Sequence, residues 1–166
     1  YGRVKALEAM YINDLVEGDV VEFTEAGVKA AITPYVAGKK EGFAKIVNAK
    51  GKELIVSEFH GDKKNGSYSE YFADGSPAKK ATYVDDLLEG EYSSFFAHGK
   101  LQEQSFYKEG KLQGNQTIYY ENGNIQSSFF FVDGLYDGEI TSYFEDGGVN
   151  FVRHFDKGVP IGKQEE

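Results

Sequence analysis

Short runs of alternating apolar and polar residues extend along the chain, broken by glycine at fixed intervals. Ser67 to Phe72 mixes serine with aromatic residues, Ala73-Asp74-Gly75 interrupts it, and residues 76–84 are extended again, ending in Thr82-Tyr83-Val84. Alternation with aromatic enrichment predicts strands, and Asp-Gly between them predicts a tight turn, so the segment reads as a hairpin. The next segment repeats it: Glu91 to Phe96, then Ala97-His98-Gly99, then Lys100 to Lys108, then a turn closing at Gly114. Helices are disfavoured, because few windows hold a 3.6-residue apolar period and glycine interrupts every nine or fifteen residues. Val4 to Leu15 looks helical in composition, but its Tyr11 falls into the aromatic register given next, so it is assigned to the second strand of a truncated repeat.

The interval is 24 residues. Gly18, Gly42, Gly66, Gly90, Gly114, Gly138 and Gly162 form one column, and Gly27, Gly51, Gly75, Gly99, Gly123 and Gly147 a second. A third is aromatic throughout: Tyr11, Tyr35, Phe59, Tyr83, Tyr107, Phe131 and Phe155. A register held this long without insertion defines a repeat protein. The second glycine column follows Asn or Asp in several units and supplies the positive φ of a hairpin turn. The first column is expected at the turns between hairpins. The fold class that follows is all-β: an elongated, single-layer antiparallel array of stacked 24-residue hairpins. We expect one repeat domain over residues 1–166, with a truncated repeat at 1–17, units at 18–41, 42–65, 66–89, 90–113, 114–137 and 138–161, and a tail at 162–166.

Aromatic doublets add a constraint on the two faces. They are Tyr71-Phe72, Phe95-Phe96, Tyr119-Tyr120 and Tyr143-Phe144, and strand parity sends consecutive rings to opposite faces. Equivalent rings in successive units would lie ~10 Å apart and need a filler from the strand between them. The column containing Tyr107 and Phe131 is the expected filler, and both residues are expected in the core. The first ring survives in the two irregular N-terminal units as Phe23 and Val47, whereas the second becomes Thr24 and Asn48. A required core position stays apolar, so the first rings are assigned to the core. Phe72, Phe96, Tyr120 and Phe144 become the candidate partner-binding stripe.

Bulk composition changes this picture little. Cysteine is absent, which excludes disulfides, thiolate metal sites and cysteine nucleophiles. The formal charge is -9, which argues against nucleic acid as the main partner, since a phosphate footprint needs clustered lysine and arginine. Charge is uneven: residues 39–64 hold seven lysines against four acids, and residues 115–146 hold six acids with no lysine or arginine. The lysine-rich stretch reads first as a solvated end of the array and second as a surface for an acidic partner. No apolar run approaches the ~20 residues of a membrane-spanning helix. The first residue is Tyr1, inside the repeat phase, which suggests a longer native chain.

The pattern G-x4-Y-[YF]-x-[ND]-G, followed by an extended stretch, an aromatic residue and a turn ending in glycine, resembles the MORN-repeat variant of bacteria. It stands at Gly66 to Gly75, Gly114 to Gly123 and Gly138 to Gly147, and the four units from Gly66 to Gly162 match best. The resemblance implies a row of β-hairpins in one antiparallel sheet. Bacterial members are often labelled antitoxin components of toxin–antitoxin pairs, and related repeats are linked to membrane lipids and protein scaffolding.

Candidate chemistry is sparse. His60, His98 and His154 occupy different repeat positions without zinc-ligand spacing, and His98 reads as a turn residue. Phosphate-loop and nucleophile-elbow motifs are absent from the sequence. Asp85, Asp86 and Glu89 cluster in one turn, and Asp133 and Asp137 in another. Paired carboxylates suit acid/base work, but acids at turns are also what solvated, positive-φ positions select. Asp133 to Asp137 lacks the alternating ligands of a calcium loop. No enzyme, cofactor or metal is therefore expected. The expected function is a non-catalytic protein-binding module, antitoxin-like in one reading and cytoplasmic if so. The alternative is a structural spacer of the cell envelope, tethered through its N-terminal side and exported. Oligomeric state is left open.

Overall fold

A computed structural model describes the backbone of residues 4–165 and the side chains of residues 6–162. Gly2 lies outside the described residues. The described chain forms two compact units, one of Tyr1–Pro77 with Tyr83–Asp86, the other of Ala78–Thr82 with Leu87–Glu166. The first contains β1 (Val4–Ile12), β2 (Leu15–Thr24), β3 (Lys29–Val36), β4 (Lys39–Lys40), β5 (Gly42–Val47), β6 (Glu53–His60) and β7 (Lys63–Tyr71). Its pairings are β1–β2, β2–β3, β3–β4, β3–β5, β5–β6 and β6–β7, all antiparallel. The chain continues through β8 (Pro77–Val84), β9 (Leu87–Leu88), β10 (Gly90–Phe95), β11 (Leu101–Lys108), β12 (Lys111–Leu112) and β13 (Gly114–Tyr119). It ends with β14 (Ile125–Val132), β15 (Leu135–Tyr136), β16 (Gly138–Tyr143), β17 (Val149–Asp156) and β18 (Val159–Glu165). These strands likewise pair antiparallel with their sequence neighbours, from β8–β10 through β17–β18. The expected all-antiparallel sheet of repeating strand pairs is the observed architecture, and β1 is the strand assigned to the truncated repeat.

Two turn types alternate. The second glycine column closes three-residue loops: Gly123 donates to the Tyr120 carbonyl at 2.9 Å, Tyr120 donates to the Asn124 carbonyl at 2.8 Å, and Gly123 has φ +96°. This is a tight turn ending in a left-handed residue, which favours glycine. The other loop has two residues, both at positive φ: Asn13-Asp14, Ala37-Gly38, Gly61-Asp62, Asp85-Asp86, Glu109-Gly110, Asp133-Gly134 and Lys157-Gly158. That is the φ signature of a type I′ hairpin, whose twist matches the flanking strands. The first glycine column does not mark this turn, which corrects the expectation above. Gly114 lies in an irregularity beyond it. Tyr107 opposes Leu112, but Gln104 opposes Thr117, so the second strand carries extra residues there, with Gly114 at φ +75°. A glycine-bearing bulge relieves the mismatch and increases local twist.

Backbone bonds tie the two-residue turns after the first to the preceding repeat. The amides of Gly38, Asp62, Gly110, Gly134 and Gly158 donate to the carbonyls of Val16, Lys40, Leu88, Leu112 and Tyr136 at 2.8–3.1 Å. Side chains add a second tie. Glu17, Glu41, Glu89 and Gln113 accept from the first turn amide of the following repeat, at Ala37, Gly61, Glu109 and Asp133. The core is thin: among the described residues, Val20, Ala81, Phe131 and Ile140 are the buried apolar side chains. Phe131 is 5% exposed, as expected of its column, whereas Tyr107 is half-buried and Tyr11 is 62% exposed. Tyr11 lies on β1, for which β2 is the strand partner found among the described residues.

Candidate functional site

The second rings of the doublets sit where strand gives way to turn. β10, β13 and β16 end on the first ring, and Phe96, Tyr120 and Phe144 then open the three-residue loop. Their ladders shift register at the first ring, so parity for a regular strand does not carry across the doublet. Phe72, Phe96 and Tyr120 are half-buried, as are Tyr71, Phe95, Tyr119 and Tyr143, while Phe144 is 53% exposed. The Tyr120 hydroxyl donates to the Tyr143 carbonyl at 2.8 Å and joins neighbouring repeats. Thr24 and Asn48 stand at the same position for a local reason. Thr24 Oγ1 accepts from the Val28 amide, and Asn48 Oδ1 accepts from the Lys50 and Lys52 amides. A turn opened by a capping side chain needs no ring there.

A different arrangement appears on the face that carries the aromatic column, here termed the inner face. On β6 it presents Ile55, Ser57 and Phe59, opposite Ile46, Ala44 and Gly42 of β5. Small side chains run down its middle, and the larger neighbours close over them, which buries Ser57, Ala81 and Ser105. The second residue after the two-residue turn packs beside the aromatic column. In the first unit it is lysine: Lys40 lies 5.2 Å from the Phe59 ring centre, and Lys64 lies 4.9 and 5.0 Å from those of Tyr68 and Tyr83. In the second unit Tyr136 takes this position, with its ring 4.6 Å from Phe131 and 5.4 Å from Phe155. The filler between successive column aromatics is therefore this series, which reading the lysines as solvated turn residues concealed. Its sequence signal was present as Lys40, Lys64, Leu88, Leu112 and Tyr136, spaced by 24.

The serines of the middle row differ as well. Ser105 Oγ donates to Glu103 Oε1 at 2.6 Å, and Gln116 Nε2 donates to both Glu103 Oε1 at 2.6 Å and Ser105 Oγ at 3.3 Å. Ser57 Oγ is buried with no hydrogen-bond partner among the described residues. In front of it the first unit has a half-open cavity of about 350 Å³, lined by Ala44, Ile46 and Ile55 and by three lysines, Lys40, Lys45 and Lys64.

The titratable groups singled out in sequence are engaged in turns and surface pairs. His60 Nδ1 meets Glu41 Oε1 at 2.6 Å, and Glu41 also accepts from the Gly61 amide at 3.0 Å. The Gly61 bond, then His60, holds the Glu41 carboxyl below its ordinary pKa. Asp74 is held low by the Ser76 hydroxyl and amide. Asp85 pairs with Lys63 at 3.4 Å, and Asp86 accepts from the Lys64 amide. His154 lies 3.5 Å from Glu139. His98 is exposed in its turn, as read from sequence. Among the described residues no group of three or more His, Cys, Asp or Glu side chains is placed to hold a metal ion. Asp133 and Asp137 are not brought into such a group, and no helix is long and apolar enough to cross a membrane.

The MORN repeat variant family matches residues 64–85, 88–109 and 112–133. Each matched segment starts at the inner-face filler, Lys64, Leu88 or Leu112, and ends on the first residue of a two-residue turn. Over these residues the chain is MORN-repeat-like. The MORN-like stretch covers less than half of the chain, and the units on either side share its turns and spacing. A repeat-built module is what this architecture provides. No curated protein matches the chain. Among solved structures, similarity is found to a mutant of S. aureus TarM in complex with fondaparinux, alpha-GlcNAc-glycerol and UDP, at 12% identity and a TM-score of 0.30. That match covers 81% of this chain and 21% of TarM, so the chain spans about a fifth of its length.

Proposed function

We propose that the protein is an interaction module that binds a protein partner through apolar side chains left in solvent by its thin sheet. The observation that supports this is the exposure of large apolar groups in the second unit, with Phe106, Phe130, Leu135 and Phe144 all beyond two-fifths or close to it. A packed globule hides such groups, and exposed clusters of them on a soluble protein mark contact sites. Phe72, Phe96, Tyr120 and Phe144 are the proposed contact residues, with Phe144 the most accessible of them. An antitoxin-like component is one setting in which such a module would act.

The test is a photo-crosslinking residue at position 144 in the producing cell, compared with the same residue at 143. A discrete adduct with one protein at 144, lost when the four rings are changed to serine in a folded variant, supports the reading. Absence of any adduct at 144 favours the spacer of the envelope. The spacer is itself favoured by one observation: Phe72, Phe96 and Tyr120 share the half-buried state of their neighbours.

A further inference from the structure

The cavity of the first unit has an internal polarity. Lys40 opposes Tyr35 and Lys64 opposes Phe59, whereas Glu22 opposes Ala31. Tyr35 and Ala31 are four residues apart on β3, so the lysines and Glu22 stand on opposite walls, separated by ~13 Å along the strand direction. Between them lies an apolar floor of Ala44, Ile46 and Ile55; Lys45 also reaches the lining, but its ammonium is paired with Glu53 at 2.6 Å. Neither the Lys40 nor the Lys64 ammonium has a carboxylate partner among the described residues; both rest on aromatic faces instead. Ring contacts restrain long side chains and lower the entropy lost when they meet a ligand.

We propose that this cavity binds a small organic anion with an apolar body, of the type of a medium-chain carboxylate. The carboxylate lies between Lys40 and Lys64, and the body covers Ala44, Ile46 and Ile55. Glu22 repels the anionic end from the far wall and fixes the direction of binding. Ser57 Oγ, orphaned in the floor, adds a hydroxyl that a χ1 rotation turns toward the ligand. The second unit shows why the site is local. Gln116 stands where the first unit has Ala44, Glu103 where it has Ile55, and Leu112 and Tyr136 where it has the lysines. There the Glu103–Ser105–Gln116 network fills the space with the protein's own groups.

Octanoate is the probe, titrated into the full chain and followed by the methyl resonances of Ala44, Ile46 and Ile55, with octylamine and octanol as charge controls. Saturable octanoate shifts are expected, with octylamine at least tenfold weaker. The double variant Lys40→Leu/Lys64→Leu is expected to lose at least tenfold in affinity, and Lys40→Arg/Lys64→Arg to retain binding. Ala44→Gln is expected to close the cavity and abolish the shifts. Each variant is first shown to melt cooperatively. Non-saturating shifts, equal binding of octylamine, or undiminished binding by folded Ala44→Gln overturn the proposal. So does a protein that ignores monomeric octanoate but binds phosphatidylglycerol vesicles or an acidic peptide through the lysines, which assigns the wall to a membrane or to a protein.

Discussion

The inner faces of the two units share one backbone plan and carry it out with different side chains. In the second, Tyr136 is wedged between Phe131 and Phe155, and Ser105 is satisfied by Glu103 and Gln116. In the first, lysines occupy the wedge, alanine replaces the glutamine, and Ser57 is left without a partner beside a cavity. Turns and glycines are common to both, so they specify the sheet. A few positions per repeat then decide whether its inner face is filled by rings and a satisfied polar network or left as an open, charged recess.

Phe131→Ala breaks the comparison most strongly. Phe131 is buried and touches two other rings, so truncation should cost ~3–5 kcal/mol, and Phe59→Ala, half-buried beside a lysine, distinctly less. Chemical denaturation of both variants measures the difference; equal losses would mean that the first unit is packed as tightly as the second. Gly123→Val and Gly51→Val should each cost ~1–3 kcal/mol, since both glycines hold positive φ in the same turn and a β-branched residue is strained there. Open space surrounds both positions, so the cost is conformational and should be the same in either unit. Unequal melting temperatures would show that the turns are not equivalent.

The serines should separate in sign. Ser105→Ala removes a bonded hydroxyl and leaves Glu103 and Gln116 short of a partner, costing ~1–2 kcal/mol. Ser57→Ala deletes an orphan hydroxyl and should be neutral or stabilising. A cost for Ser57→Ala as large as for Ser105→Ala would reveal a partner for Ser57. The smallest effect is a local pH dependence. Glu41 clamps the Gly61 amide as a carboxylate with a lowered pKa, whereas Gln113 clamps Asp133 as a neutral amide. The Glu41 contribution is complete above the ordinary carboxylate pKa and is lost as pH falls through the lowered one. Amide exchange at Gly61 should accelerate below about pH 4 relative to the intrinsic rate, with the Asp133 amide unaffected; parallel behaviour at both sites would remove the carboxylate from the clamp.

The repeat and its hairpins were legible because glycine and Asn-Gly or Asp-Gly pairs report backbone φ directly. The two-residue turns were partly hidden, because Ala37, Glu109 and Lys157 take positive φ without a sequence mark of their own. The partners Gly38, Gly110 and Gly158 were visible but looked like ordinary loop glycines. The doublets misled where parity was applied past the end of a strand. The inner recess escaped because it is a relation among Lys40, Ala44, Ser57 and Lys64, which become neighbours only through strand register. Each of these residues taken singly has an unremarkable reading as a turn cation or a small strand residue.

The ties between successive two-residue turns run from amide to carbonyl, so they are indifferent to side-chain identity. A cut that removes one whole 24-residue period therefore presents the same donor to an equivalent acceptor one step earlier, and the seam closes without redesign. Removing any other number of residues leaves a donor facing the wrong group. The gene can thus lengthen or shorten in whole periods while each period keeps its freedom to change chemistry, a modularity set by the hydrogen-bond ladder.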